Sequence, residues 1–148
     1  MDYKTILRHH LATLAFRTNY AIKDAQDKYS YFSAGQGVRP PGEILSHVVQ
    51  MLKGVDDILN GVTFSKIELD GWENIIKEFH ARLKKLDSTI ENLENVDDDI
   101  ILRVYQGPLS DAMTHIGQLM TLRRMSDDAL DGINFYKEDA ITIGKFDY

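Results

Sequence analysis

The sequence predicts an all-α fold, and more narrowly an antiparallel four-helix bundle. Three observations predict it: four stretches with apolar residues at i, i+3, i+4 spacing, turn chemistry between them, and connections mostly shorter than about 15 residues. Helices joined by short connections bury their stripes most simply against their chain neighbours. At 148 residues the chain fits one domain, with an irregular tail from about residue 129.

Helix one is expected from Tyr3 to Lys28, with Ile6, Leu7, Leu11, Leu14, Ala21 and Ala25 on one face. The pattern fails around Gly35 and Gly37. Arg39-Pro40-Pro41 then restarts the chain, because proline pre-sets a helical φ and has no amide to satisfy in a first turn. Helix two continues through Ile44, Leu45, Val48, Met51, Leu52, Val55, Ile58 and Leu59 to Gly61. Asp70-Gly71-Trp72-Glu73 has the form of a helix cap with its reciprocal acid, so helix three should begin there. It buries Trp72, Ile75, Ile76, Phe79, Leu83, Leu86, Ile90 and Leu93. The acidic run Asp97 to Asp99 and the apolar segment Ile100 to Tyr105 read as an interruption. Gly107-Pro108 reads as the start of helix four, which carries the stripe Leu109, Met113, Ile116 and Met120 and ends between Met125 and Asp128. In the tail, the alternation Ile141-Thr142-Ile143 allows an extended segment.

Composition removes several functions. Cysteine is absent, so disulfides, thiolate metal sites and a protein thiol nucleophile are excluded. A formal charge of −6 argues against a nonspecific grip on nucleic acid. No run of about 18 apolar residues could span a membrane, and the amino terminus lacks a signal-peptide core, so a cytoplasmic protein is expected. Glycine-rich phosphate loops and serine nucleophile elbows are not found.

Three residues suggest chemistry. In an up-down-up-down bundle, helices two and four run parallel. His47 then lies about six residues into helix two, and Asp111 and His115 about three and seven residues into helix four, so a rise of about 1.5 Å per residue brings all three to one level. The i, i+4 spacing puts Asp111 and His115 on one face, offset from the apolar stripe as His47 is from its own. Two imidazoles and one carboxylate suit a divalent transition metal with positions left open. Glu43, one turn before His47, reads as a hydrogen-bonding supporter of a ligand, as a general base, or as a solvated first-turn acid. Asn19 and Tyr20 fall near the same level. Arg17 suits a carboxylate of a substrate or an acid of the fold. His10 should lie far from the ligands as a satisfied core or interface histidine, while Met51, Met113, Met120 and Met125 read as core filling.

Together, Glu43-Ile44-Leu45-Ser46-His47 opening helix two, Trp72 opening helix three, and His115-Ile116-Gly117-Gln118-Leu119 followed by Arg123 resemble the DinB-like (YfiT-like) superfamily. The resemblance extends over nearly the whole chain, including Asn134-Phe135-Tyr136 and Ile143-Gly144. It implies a four-helix bundle, often a homodimer, with three metal-binding histidines: one from helix two and an HxxxH pair from helix four. His47 and His115 match; Asp111 replaces the first histidine of the pair. Asp111 is thus either a carboxylate ligand to nickel, zinc, iron or manganese, or a surface acid left by a decayed site. The resemblance further implies transfer chemistry with a low-molecular-weight thiol on a small-molecule substrate. The alternatives are a metal-dependent hydrolase and a non-enzymatic, stress-associated binding protein.

Overall fold

The computed structural model describes the whole chain, Met1–Tyr148, and it is all-helical. Helix α1 spans Tyr3–Ile22, α2 Asp27–Ser30, α3 Pro41–Leu59, α4 Trp72–Glu91, α5 Asp98–Val104 and α6 Ser110–Met125. A π-helical turn, Tyr105–Leu109, joins α5 to α6, and a 3₁₀ turn, Phe135–Lys137, lies in the tail. The four long helices share one apolar core in which Leu11, Leu45, Leu52, Phe79, Leu83 and Ile116 are fully buried. No helix is long and apolar enough to cross a membrane.

Contacts along the helices fix their relative directions. Arg8 pairs with Asp87 while Asn19 meets His80, so α1 runs against α4. His10 meets the carbonyl of Leu109 while Arg123 donates to that of Ala21, so α1 runs with α6. At the seam of α3 and α6, Arg39 reaches His115, His47 stacks on the same ring, and Met51 shares a cavity with Gly107. Helix α3 therefore runs against α6, which corrects the up-down-up-down order. The starts of α3 and α4 both pack on α2, and Asp56 bonds Thr89 toward their far ends, so these two run together. The twelve-residue connection from Asn60 to Gly71 is long enough to return the chain before α4 begins.

Helix boundaries differ from expectation for local reasons. Helix α1 stops at Ile22, not Lys28, because Lys23 turns extended and Asp24 takes a left-handed φ of 55°. Helix α4 is capped by Gly71 with φ 83°, a conformation that favours glycine. Asp70 makes no side-chain cap, and Glu73, now at the second helical position, has no reciprocal role; instead the Asn74 amide donates to the Asp70 carbonyl at 3.0 Å. Ile6 and Ile58, assigned to stripes, are about half exposed at 47% and 49%. The tail forms no strand. It is held by the Asn19 amide on the Phe146 carbonyl, by buried Phe146, and by the Tyr148 ring on Phe16.

The largest correction concerns helix four. Asp97 caps α5 by accepting from the Asp99 amide at 2.9 Å, so the acidic run starts a helix. Gly107-Pro108 lies inside the continuous 98–125 element. Pro108 has no N–H for the Val104 carbonyl, and the wider π turn absorbs the missing bond, with the Ser110 hydroxyl donating to the Tyr105 carbonyl at 2.6 Å. The buried face consequently steps through Ile101, Val104, Leu109, Ala112 and Ile116, with one five-residue step across the π turn. An unbroken α-helix would carry the face from Val104 through positions 108, 111 and 115 into the core. The π turn moves Asp111 and His115 to its margin, facing α3.

Candidate metal centre

His47 projects from the second turn of α3, and Asp111 and His115 from successive turns of α6. One ligand atom from each lies within 4.8 Å of the other two. The His47 and His115 rings are 4.9 Å apart, tilted by 36°. His115 Nδ1 is 3.8 Å from Asp111 Oδ1, outside hydrogen-bond range. That nitrogen is buried and has no partner. An unpartnered buried nitrogen costs free energy on the order of 1–3 kcal/mol unless a ligand meets it. The three residues predicted from sequence are thus brought together.

The donor chemistry fits a divalent ion. Burial holds the His47 pKa below its ordinary value of 6.5, reinforced by the Arg39 guanidinium and by His115 and opposed by the Asp111 charge. His47 is therefore neutral at physiological pH, with a nitrogen lone pair free. Arg39 Nη2 lies 3.1 Å from His115 Nε2. A guanidinium only donates, so Nε2 accepts and the imidazole proton sits on Nδ1. An ion on Nδ1 requires the other tautomer, and with it release of the Arg39 bond. Asp111 is exposed, and a cavity of about 550 Å³ opens beside it, lined by His47, Met51, Ser110 and Thr114 among others. Water or a small molecule can therefore reach the ligand set.

Other candidates fall elsewhere. Glu43 is exposed in the first turn of α3 and makes no hydrogen bond or ion pair with His47. His10 is not remote from the ligand level: its Nε2 bonds the Leu109 carbonyl at 3.2 Å, two residues before Asp111, with its ring against Tyr105. It approaches α6 from α1, however, and stays outside the ligand group. Asn19 and Tyr20 hold the tail, through the carbonyls of Phe146 and Asp131. Arg17 pairs with no acid; its guanidinium lies 4.0 Å from the Phe135 ring centroid. Arg123 is buried, donating to Asp128 at 2.6 Å and to the Ala21 carbonyl at 3.0 Å. Gly117 permits no close helix approach, since nothing lies within 4 Å of a Cβ placed there. Met51, Met113 and Met120 pack on the core, whereas Met125 is 53% exposed.

Sequence reading missed Arg39 as a neighbour of the three candidate ligands. Its signal was the Pro-Pro pair that follows it, which fixes the chain leaving Arg39 for α3, but nothing local shows that the side chain turns to α6. Compared with known proteins, the chain matches no family model, no curated protein and no solved structure.

Proposed function

We propose that the protein binds one divalent transition metal through His47, Asp111 and His115 and is a metal-dependent enzyme of the DinB-like, four-helix-bundle kind, acting on a small molecule with an external thiol as cosubstrate. The observation that carries the metal reading is the meeting of one ligand atom from each of His47, Asp111 and His115 within 4.8 Å, at a histidine whose buried Nδ1 has no partner. The thiol and homodimerisation rest on the sequence resemblance. A divalent ion held there supplies Lewis acidity, which activates a water or a thiol near neutral pH. Within the chain, His47 and His115 offer imidazole nitrogens, Asp111 offers a compensating negative charge, and Met51 forms an apolar wall to the open side. Ser110 and Thr114 line the same opening, and their hydroxyl oxygens, which donate to the Tyr105 and Ser110 carbonyls, keep lone pairs that can accept from a polar reactant.

Elemental analysis of tag-free protein purified without chelator tests the reading. About one mole of a single transition metal per chain is expected, lost in His47→Ala and Asp111→Ala with helix content unchanged. Stoichiometric metal in both variants would sink the ligand assignment. A second reading, a non-enzymatic binding protein with a decayed site, is favoured by one observation: the Asp111 side chain is 51% exposed. Wild-type protein that takes up no nickel, zinc, iron or manganese on titration would select it. Sedimentation of wild-type protein checks the homodimer.

A further inference from the structure

A second cavity of about 660 Å³ adjoins the metal centre, and Thr114 lines both openings. It lies between the 34–39 segment and the outer face of α6. Among the 12 residues that line it, Arg39 is the only charged one. Val38, Leu122 and Met125 give it apolar surface, Gln118 and Thr121 give it hydrogen-bonding groups, and Gly117 leaves its floor open. Arg39 belongs to none of the chain's ion pairs. Its hydrogen bond goes to an imidazole nitrogen, which leaves most of the guanidinium fork unused.

We propose that this groove is a substrate subsite for a small organic carboxylate, with Arg39 gripping the carboxylate and the apolar body lying along Val38, Leu122 and Met125. A guanidinium fork matches a carboxylate through two parallel hydrogen bonds, and no lining acid competes for it. A single cation suits a monoanion better than a phosphate dianion. Pro40 and Pro41, which open α3 beside it, lack the N–H groups that would make a backbone cradle for phosphate. Because Arg39 lies against His115, the carboxylate end of the bound molecule sits next to the metal centre and its body runs away from it along α6. As the substrate class of the proposed enzyme, this assignment rests on the metal reading; as a binding site, it is measured independently of any ion.

The probe is 3-phenylpropionate, titrated into the full chain by calorimetry and followed by amide NMR, with 3-phenylpropanol as its uncharged counterpart. Shifts centred on Thr114, Gly117, Gln118 and Thr121 are expected, with weak or undetectable binding of the alcohol. Arg39→Gln should weaken the carboxylate by about tenfold or more, as loss of a charge-assisted contact requires. Gly117→Leu, which fills the groove and leaves Arg39 in place, should weaken the carboxylate as well. Undiminished binding to Arg39→Gln, shifts elsewhere on the molecule, or a phenyl phosphate ester that displaces the carboxylate at lower concentration would each overturn the assignment. Cobalt(II) uptake is read on the same samples by absorption. Probe binding without cobalt uptake by wild-type protein removes the metal reading and leaves the carboxylate site standing; cobalt uptake without probe binding does the reverse.

Discussion

The two seams that α1 and α3 make with their partners treat polar groups in opposite ways. Between α1 and α4, Arg8 forms a bidentate pair with Asp87 at 2.8 and 2.9 Å and also reaches Glu91 at 2.7 Å, so each buried charge is met. Contact with Asp87 holds the Arg8 pKa well above its ordinary value, against the opposing effect of burial. Between α3 and α6, His115 Nδ1 has no partner, His47 makes no hydrogen bond and Asp111 stands 3.8 Å away. The first seam spends its polar groups on holding helices together. The second, apart from the Arg39 bond to His115, keeps them unspent, at a stability cost that a ligand would recover.

The comparison is broken or sharpened by substitutions on either side. The largest effect is expected from an ion at the open seam. Nickel or zinc at about a thousand times its Kd should raise unfolding free energy by about 4 kcal/mol, and Asp111→Ala should remove most of that gain. Without metal, Asp111→Ala should stay within about 0.5 kcal/mol of wild type, as an exposed position does. Denaturant titration with and without the ion measures both, and an equal ion-induced gain in the variant would break the contrast. Next in size, Asp87→Ala at the satisfied seam should lose about 2–3 kcal/mol, because it takes the bidentate partner from the half-buried Arg8 and leaves it only the exposed Glu91. A loss that disappears in the Arg8→Met, Asp87→Ala double variant would confirm that the cost is the stranded charge.

A smaller gain is expected at Gly117, which is helical with open space around its Cβ position, so alanine there should stabilise by up to about 1 kcal/mol. A destabilised Gly117→Ala would mean that the groove needs the glycine for its shape. The smallest effect is a pH dependence. Burial depresses the pKa of His10, opposed by its bond to the Leu109 carbonyl, and burial also depresses that of His47. Both bind protons less readily when folded than unfolded. Their contribution is therefore complete above the ordinary value of 6.5 and is lost as the pH falls toward the depressed values. Metal-free protein should become less stable between about pH 7 and pH 5, with a shallower slope in His10→Gln than in the exposed-position control His9→Gln. Equal slopes would show that His10 carries none of the dependence.

Much of the fold was readable from periodicity. The stripes of α3 and α4 were legible nearly residue by residue, because long amphipathic helices bury one face wherever they end up. Residues 98–109 were not. Pro108 preceded by Gly107 signals a helix start just as well as it signals an internal π turn, and only packing against α1 and α3 decides between them. The meeting of His47, Asp111 and His115 was legible for a partly accidental reason. With α3 running against α6, equal distances from the two helix starts do not give equal height; the earlier start of helix four, at Asp98, brings Asp111 and His115 back to the level of His47.

What the sequence determined by itself was the helical class, the buried faces of α3 and α4, and the side-chain types available to hold an ion, since these follow from local periodicity and composition. Helix direction, the phase of α6 beyond its π turn, and the turn of Arg39 onto His115 were decided only in the tertiary structure. Each depends on which distant surface a segment packs against, and that is a property of the shared core rather than of any window of the chain.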